Sequence, residues 1–317
     1  MSRHPAPPSR PAPSKTPNGL LELDRFSEKS LQQWQTASRD LDEFQDSLHF
    51  GPEPERRRYR KELIDSLVGV GGIALSLNNW SRLVTYQFSL NPLSAAGSLH
   101  DIGGRFNAGV DLDPQTLDPW PALYLAEDYE TAFREKFQIA SDATEGGLTP
   151  EELALGSGSS HTCVQLKGQL SNVFDMTTNK TLEPLAKIFR RIKMPARARL
   201  LKRKLNIQDK SCFMVQTSKQ IHDMLFKQNW RMLPRQFGLP AQSQTIAELI
   251  HAAGYEGILY KSSKGPERCV AIFPNQLQGT SFVELLDPAP VGVPTRLDPN
   301  NFEEFEGWDS VPAQLRR

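Results

Sequence analysis

The amino-acid sequence predicts a mixed α+β fold, and three observations predict it. Short runs rich in β-branched and aromatic residues read as strands, while longer amphipathic runs read as helices. The two kinds of element do not alternate in the regular order of a parallel βαβ sheet. The glycine pair Gly103-Gly104 does not follow a strand at the spacing of a dinucleotide-binding turn, so the Rossmann fingerprint is missing.

Residues 1–19 are dominated by proline, serine and basic residues with nothing to bury, and read as a disordered tail. A proline-rich ligand for a partner domain is the alternative. Residues 20–79 form a helical extension: Leu20, Leu21, Leu23, Phe26, Leu31, Trp34 and Leu41 trace one amphipathic pattern. Gly51-Pro52 breaks it, and Tyr59, Leu63, Ile64 and Leu67 trace a second that runs to about residue 77. The basic run from Arg56 to Lys61 reads as the solvated face of that helix, with contact to nucleic acid as the alternative.

A mixed domain over residues 80–286 follows. Arg82 to Phe88 and Ala122 to Ala126 are predicted strands, and Asp128 caps a helix from Tyr129 to about Ile139. The acidic, glycine- and serine-rich residues 141–160 read as a loop. Val164, Leu166 and Leu170 mark a strand, with Val173 to Met176 close behind, and helices are expected over 183–206 and 216–230. A helix from Thr245 ends at Gly254, and Ile258 to Tyr260 and Cys269 to Phe273 are strands. Residues 287–317, rich in proline and acid, are expected to be irregular.

Composition removes several function classes. The 37 basic and 37 acidic residues cancel, so no global field draws in nucleic acid. Cys163, Cys212 and Cys269 lie far apart and fit a reducing cytosol rather than a disulfide framework or a zinc site. The six histidines, His100 among them, show no metal-ligand spacing, and no bound metal is expected. A GxSxG elbow and a P-loop are both missing. No apolar run approaches the roughly 18 residues that cross a bilayer, and the N-terminus lacks the apolar core of a secretory signal. The run from Lys187 to Lys204 carries nine basic residues and no acidic one. It reads either as a surface for an acidic partner or nucleic acid, or as a solvated helical hairpin that balances the acidic loop.

Four segments together resemble the RES-domain family. They are Trp80-Ser81-Arg82-Leu83; Gly103-Gly104-Arg105-Phe106-Asn107; Ala122 to Asp128 running into Thr131-Ala132-Phe133-Arg134-Glu135; and Gly254 to Ser263, closing with Ala271-Ile272-Phe273. The resemblance covers residues 80–273. It implies an ADP-ribosyltransferase-like fold, here with an N-terminal helical extension and a helical insertion. It also implies a toxin that degrades NAD⁺ or moves its ADP-ribose, usually held in check by an antitoxin protein. NAD⁺ is then substrate rather than cofactor. The arginine, glutamate and serine that name the family match Arg82, Glu135 and Ser262, and Arg105 and Tyr124 match further functional positions.

Each residue has a bland reading beside this one. Glu135, on the flank of an apolar helix face, reads alone as an exposed glutamate paired with Lys or Arg. Under the resemblance it stabilises the cation that builds on ribose when the glycosidic bond of NAD⁺ breaks. Arg82 and Arg105 are candidates for the phosphates, because a guanidinium grips phosphate oxygens as a fork; each otherwise makes a structural salt bridge. Tyr124 stacks on nicotinamide or is a core tyrosine. Ser262 fixes the pose of the nicotinamide ribose or amide, with Ser263 as rival, or the pair is only a turn. The expected function is cleavage of the nicotinamide–ribose bond by hydrolysis or phosphorolysis. The alternatives are ADP-ribosyl transfer to a protein or nucleic acid, and a non-catalytic RES-like binding module.

Overall fold

The computed structural model describes residues 27–113, 116–139, 148, 160–209 and 212–306. The expected N-terminal tail, most of the 141–160 loop and the last residues of the chain lie outside them. Two compact units divide the chain: residues 1–51 with 194–212, and residues 52–193 with 213–317. Their helices, in chain order, are α1 (Glu28–Phe50), α2 (Glu53–Val68), α3 (Tyr129–Phe137), α4 (Glu183–Phe189), α5 (Ala196–Lys204), α6 (Ser218–Lys227), α7 (Met232–Phe237), α8 (Gln242–Ala252) and α9 (Phe302–Glu306). The strands are β1 (Ile73–Thr85), β2 (Gly103–Gly104), β3 (Asn107–Ala108), β4 (Leu123–Ala126), β5 (His161–Asp175), β6 (Gly257–Lys261), β7 (Arg268–Ile272), β8 (Phe282–Leu285) and β9 (Arg296–Leu297).

The smaller unit is helical. Ser27 caps α1 by accepting the Ser30 N–H. Phe44 of α1 packs with Ala198 and Leu201 of α5, all buried. Ion pairs of Arg197 with Glu43 and of Lys204 with Asp40 tie the same two helices, the second at 2.6 Å.

The larger unit is built on a sheet of order β1-β4-β7-β6-β5-β8-β9, and β1 also pairs with β5. Strands β1, β4, β7, β6 and β5 therefore form a closed circuit, which removes two open edges. The β5–β6 pairing is parallel and the others are antiparallel. Period-2 alternation explains the two cores. Leu123, Leu125, Leu259, Val270 and Ile272 enter one apolar cluster. Their neighbours Ala122, Ala126, Ile258, Tyr260, Cys269 and Ala271 enter the other, which the helices cover with Leu67, Leu185, Leu225 and Ile246. A bulge lies between Leu77 and Trp80, where Asn79 takes φ 59. It adds one residue, so the odd-numbered Leu77 and the even-numbered Trp80 both enter the first cluster.

Several expectations are corrected. The second helix stops at Val68, and residues 73–77 are already β1, so the boundary at residue 79 falls inside a strand. Gly71 at φ 73 and Gly72 supply the turn that ends helical continuity. The helix expected over 183–206 is two helices. Proline at 195 lacks the N–H that a helix interior needs, and the chain passes there from one unit to the other. The tail after residue 287 is only partly irregular, because Leu297 and Phe305 are buried and β9 pairs with β8. The strand β8 carried too short an alternation to be read. Among the described residues no helix is long and apolar enough to cross a membrane.

The basic run from Lys187 to Lys204 is divided between the two units. Arg190 pairs with Glu183, Arg191 with Glu62 and Lys202 with Asp209, in addition to the α1–α5 pairs. Much of its charge is thus met by carboxylates of the unit to which each residue belongs. The run at 56–61 is met similarly, by Glu53, Glu248 and Asp65.

Candidate active site

The β2–β3 hairpin pairs Gly104 with Asn107 and leaves Arg105 and Phe106 at its tip. Its shape needs glycine. Gly103 sits at φ 80, and a Cβ on Gly104 would lie 2.4 Å from the Tyr124 hydroxyl. Buried Asn107 accepts from the Gly104 N–H at 2.9 Å and from the Tyr124 hydroxyl at 3.0 Å. Buried Gln244 of α8 donates to the carbonyls of Ile102, Gly104 and Asn107. The hairpin is thereby clamped from two sides.

Strand β4 ends at Ala126, and two residues on, the carboxylate of Asp128 accepts the Thr131 N–H at 2.7 Å and starts α3. The turn after β6 docks on that helix start: Thr131 Oγ1 accepts the Glu267 N–H, and a Cβ on Gly265 would lie 2.6 Å from Thr131 Cα. These contacts bring the first turn after β6 against the second turn of α3. Ser262 donates to Glu135 Oε1 at 2.6 Å, and the Ser263 N–H reaches the same oxygen at 3.3 Å.

The direction of the Ser262 proton follows from counting. A hydroxyl has one proton and two acceptor sites. Ser262 Oγ accepts from the N–H groups of Lys264 and Gly265, at 3.0 and 2.8 Å. Both acceptor sites are filled, so the proton goes to Glu135. Oε1 of Glu135 is held by this turn, and no donor among the described residues engages Oε2.

A cleft of about 280 Å³, at the lower end of the range for ligand sites, opens beside this carboxylate. It lies where β1 and β4 meet at a single residue pair, Ser81 with Ala126. Arg82, Arg105, Tyr124 and Glu135 all line it, as do Lys136, Gln138, Trp230, Arg231, Tyr260 and Cys269. The structure thus brings the six residues singled out from the sequence to one place. Four line the cleft, Ser262 orients Glu135, and Ser263 adds its N–H to Glu135 and its hydroxyl to Arg105 at 3.4 Å.

The cleft is rich in unmatched positive charge. Among the described residues no carboxylate makes an ion pair with Arg82, Arg105, Lys136 or Arg231; their partners are neutral. Arg105 donates to the Leu225 carbonyl at 2.7 Å, at the end of α6, and its guanidinium lies 6.0 Å from the Phe226 ring. Arg82 donates to the Ser94 carbonyl at 2.8 Å, and its buried Nε has no partner. Lys136 donates to Thr85 and Arg231 to Gln138. Burial lowers the guanidinium of Arg82 to about 10. Burial, and then the neighbouring Arg82, lowers Lys136. Burial, and then Arg105, lowers Arg231. The salt-bridge reading of Arg82 and Arg105 is therefore not what the chain builds.

Tyr124 and Tyr260 are neutral. Burial raises both phenols above the ordinary range, and the charge of Glu135 acts in the same direction. Burial also raises the Cys269 thiol, so it is a packed thiol rather than a nucleophile.

Sequence reasoning missed Lys136, Gln138, Trp230, Arg231 and Tyr260. Lys136 adjoins Glu135, and Tyr260 stands two residues before Ser262, so proximity to the motifs was a usable signal. Trp230 and Arg231 sit in an irregular link between α6 and α7, and no pattern points to them.

A mixed sheet closed on itself frames this site, whose seam holds one oriented carboxylate among cations that make no ion pair among the described residues. The RES domain model matches residues 82–289, about two thirds of the chain, and the chain belongs to the RES-domain family. Among solved structures it is similar to a chain in the crystal structure of the M. tuberculosis MbcT-MbcA toxin-antitoxin complex, at 16% identity and a TM-score of 0.40, over 77% of this chain and 96% of that one. A comparison with curated proteins finds no match.

Proposed function

We propose that the chain is an NAD⁺-cleaving enzyme of the toxin type that breaks the bond between nicotinamide and ribose. One observation carries the reading: a single carboxylate with one oxygen held and the other unengaged, in a cleft whose cations make no ion pair among the described residues. Isolated buried charges are costly and are kept where a ligand supplies the counter-charge. A dinucleotide supplies it in its pyrophosphate.

In this reading Arg105 and Arg82 bind phosphate or ribose oxygens as bidentate donors. Tyr124 packs on the nicotinamide ring. As the C–N bond breaks, its electron pair leaves with nicotinamide and positive charge develops on the ribose. Glu135 Oε2 accepts from the ribose hydroxyl beside that carbon and stabilises the charge. Ser262 is a positioning residue that keeps Oε1 fixed, so Oε2 faces the substrate. Water, which gives up a proton to solvent as it adds, or inorganic phosphate then bonds to the ribose carbon. None of these steps calls on a metal ion or a second cofactor. The free thiols of the three cysteines suit a cytosolic setting, and the family resemblance extends to an antitoxin protein as partner.

Incubation of the purified chain with NAD⁺, following free nicotinamide, tests this. Release in buffer alone supports hydrolysis, and release only with phosphate supports phosphorolysis. Release only with an added protein or nucleic acid indicates ADP-ribosyl transfer. No release under any of these conditions refutes the reading and leaves a binding module.

A further inference from the structure

The six residues singled out from the sequence leave two cations of the cleft without a task, Lys136 beside Glu135 and the more distant Arg231. Arg231 lies outside all of the family segments, in the link between α6 and α7, yet it lines the same cleft as Arg105 and Glu135. Its side chain is half-buried and held in place. The guanidinium lies 4.6 Å from the centre of the Trp230 ring, and Nη1 donates to Gln138 Oε1 at 2.9 Å. Stacking on an indole keeps the planar fork at a fixed tilt without consuming its N–H groups. Its one hydrogen-bond acceptor is a neutral amide, and no carboxylate makes an ion pair with it.

Two arginines facing one cleft repel each other, and a fold selected for stability alone does not keep them there. The charge of Arg105 contributes to lowering Arg231, in accord with that repulsion. Arg105 is anchored at the α6 terminus through Leu225, and Arg231 at the α3 terminus through Gln138. Each guanidinium has five N–H groups, so both retain donors for a ligand. A single phosphate does not need two separately anchored forks, whereas a diphosphate presents oxygens enough for both.

We propose that Arg231 and Arg105 form a two-armed clamp for the diphosphate of a nucleotide ligand, and that Arg231 determines specificity for two phosphates over one. This deepens the function proposed above and rests on it for the identity of the complete substrate. Gln138 is the parking partner of Arg231 in the ligand-free cleft. It is also tied to the catalytic helix, because its amide donates to the Glu135 carbonyl at 2.5 Å.

The test is calorimetric titration of the wild-type chain and variants with ADP, AMP and adenosine. The wild type is expected to bind ADP more tightly than AMP, and AMP more tightly than adenosine. Arg231→Ala is expected to weaken ADP by about 10- to 100-fold, the loss of one or two charge-assisted hydrogen bonds, and adenosine not at all. Arg231→Lys should recover only part of the loss, since an ammonium cannot reproduce the fork. Gln138→Ala separates this role from a structural one. It removes the same protein contact but leaves the arginine on Trp230, so ADP binding should weaken far less than in Arg231→Ala. Equal ADP affinity in wild type and Arg231→Ala overturns the clamp, and so does a loss in Gln138→Ala as large as in Arg231→Ala. A wild type that fails to bind ADP overturns it as well. Nicotinamide release from NAD⁺, measured on the same preparation, then shows whether the proposed activity survives without the clamp.

Discussion

Ser262 has no freedom to do anything but point at Glu135, since two backbone N–H groups occupy its acceptor sites. Ser262→Ala removes that donor and leaves the carboxylate held only by the longer Ser263 contact. The expected result is a kcat lower by about 10- to 100-fold, with KM for NAD⁺ little changed, because positioning and not binding is lost. Steady-state kinetics of the folded variant check it. Tyr124 gives a contrasting case. Its hydroxyl accepts the Phe106 N–H and donates to Asn107, so Tyr124→Phe strands a half-buried donor in the hairpin. A loss of about 1–3 kcal/mol of stability is expected in denaturant unfolding. At this scale the sequence was informative only through its motifs. Alone, Glu135 resembles any helical glutamate, because the partner that defines it lies 127 residues away. Arg231 was illegible for the same reason: the Gln138 that holds it is 93 residues distant.

The elements place these side chains through their ends. Helix α3 is capped by Asp128, and its second turn carries Glu135. Asp128→Ala is expected to cost about 1 kcal/mol, the usual worth of an N-cap. Because the cap sits between β4 and the helix, activity should fall more than that stability change alone explains; thermal melts and turnover measured together decide it. The hairpin is the second such element. Gly104→Ala places a methyl against the Tyr124 hydroxyl and Asn107 and must displace the tip that bears Arg105. Binding of ADP should weaken even where the variant stays folded, and calorimetry reads this directly. Helix α3 and strands β4, β6 and β7 were legible from alternation and capping. The end of α2 and the break before α5 were not. A glycine turn and a proline acted there against a pattern that still read as helical.

At the scale of the molecule, the mixed α+β class followed from local pattern, while the closure of the sheet did not. The β1–β5 pairing joins residues far apart in the chain, and no local propensity encodes such a partner. The same long-range packing gives the chain an acid-sensitive stability. Burial lowers both His222 and His251 below the ordinary value of 6.5. His251 packs against Trp120 and Phe273, with its Nε2 on Asn275. A histidine with a depressed folded pKa binds fewer protons folded than unfolded. Its stabilisation is complete above about 6.5 and is lost as pH falls through the lower folded value. The melting temperature at about pH 5.5 is therefore expected to lie below that at about pH 7.5. His251→Phe should flatten the difference, and an unchanged slope in that variant would assign the effect elsewhere.

In the proposed mechanism the oriented carboxylate of Glu135 drives departure of nicotinamide. Glu135→Gln keeps the shape of the side chain and an acceptor for Ser262, but removes the charge. Nicotinamide release from NAD⁺ is the measurement, with ADP titration of the same variant as the control for an intact cleft. Release is expected to fall by about 100-fold or more while ADP binding persists. Release at the wild-type rate by a variant that still binds ADP would contradict that mechanism.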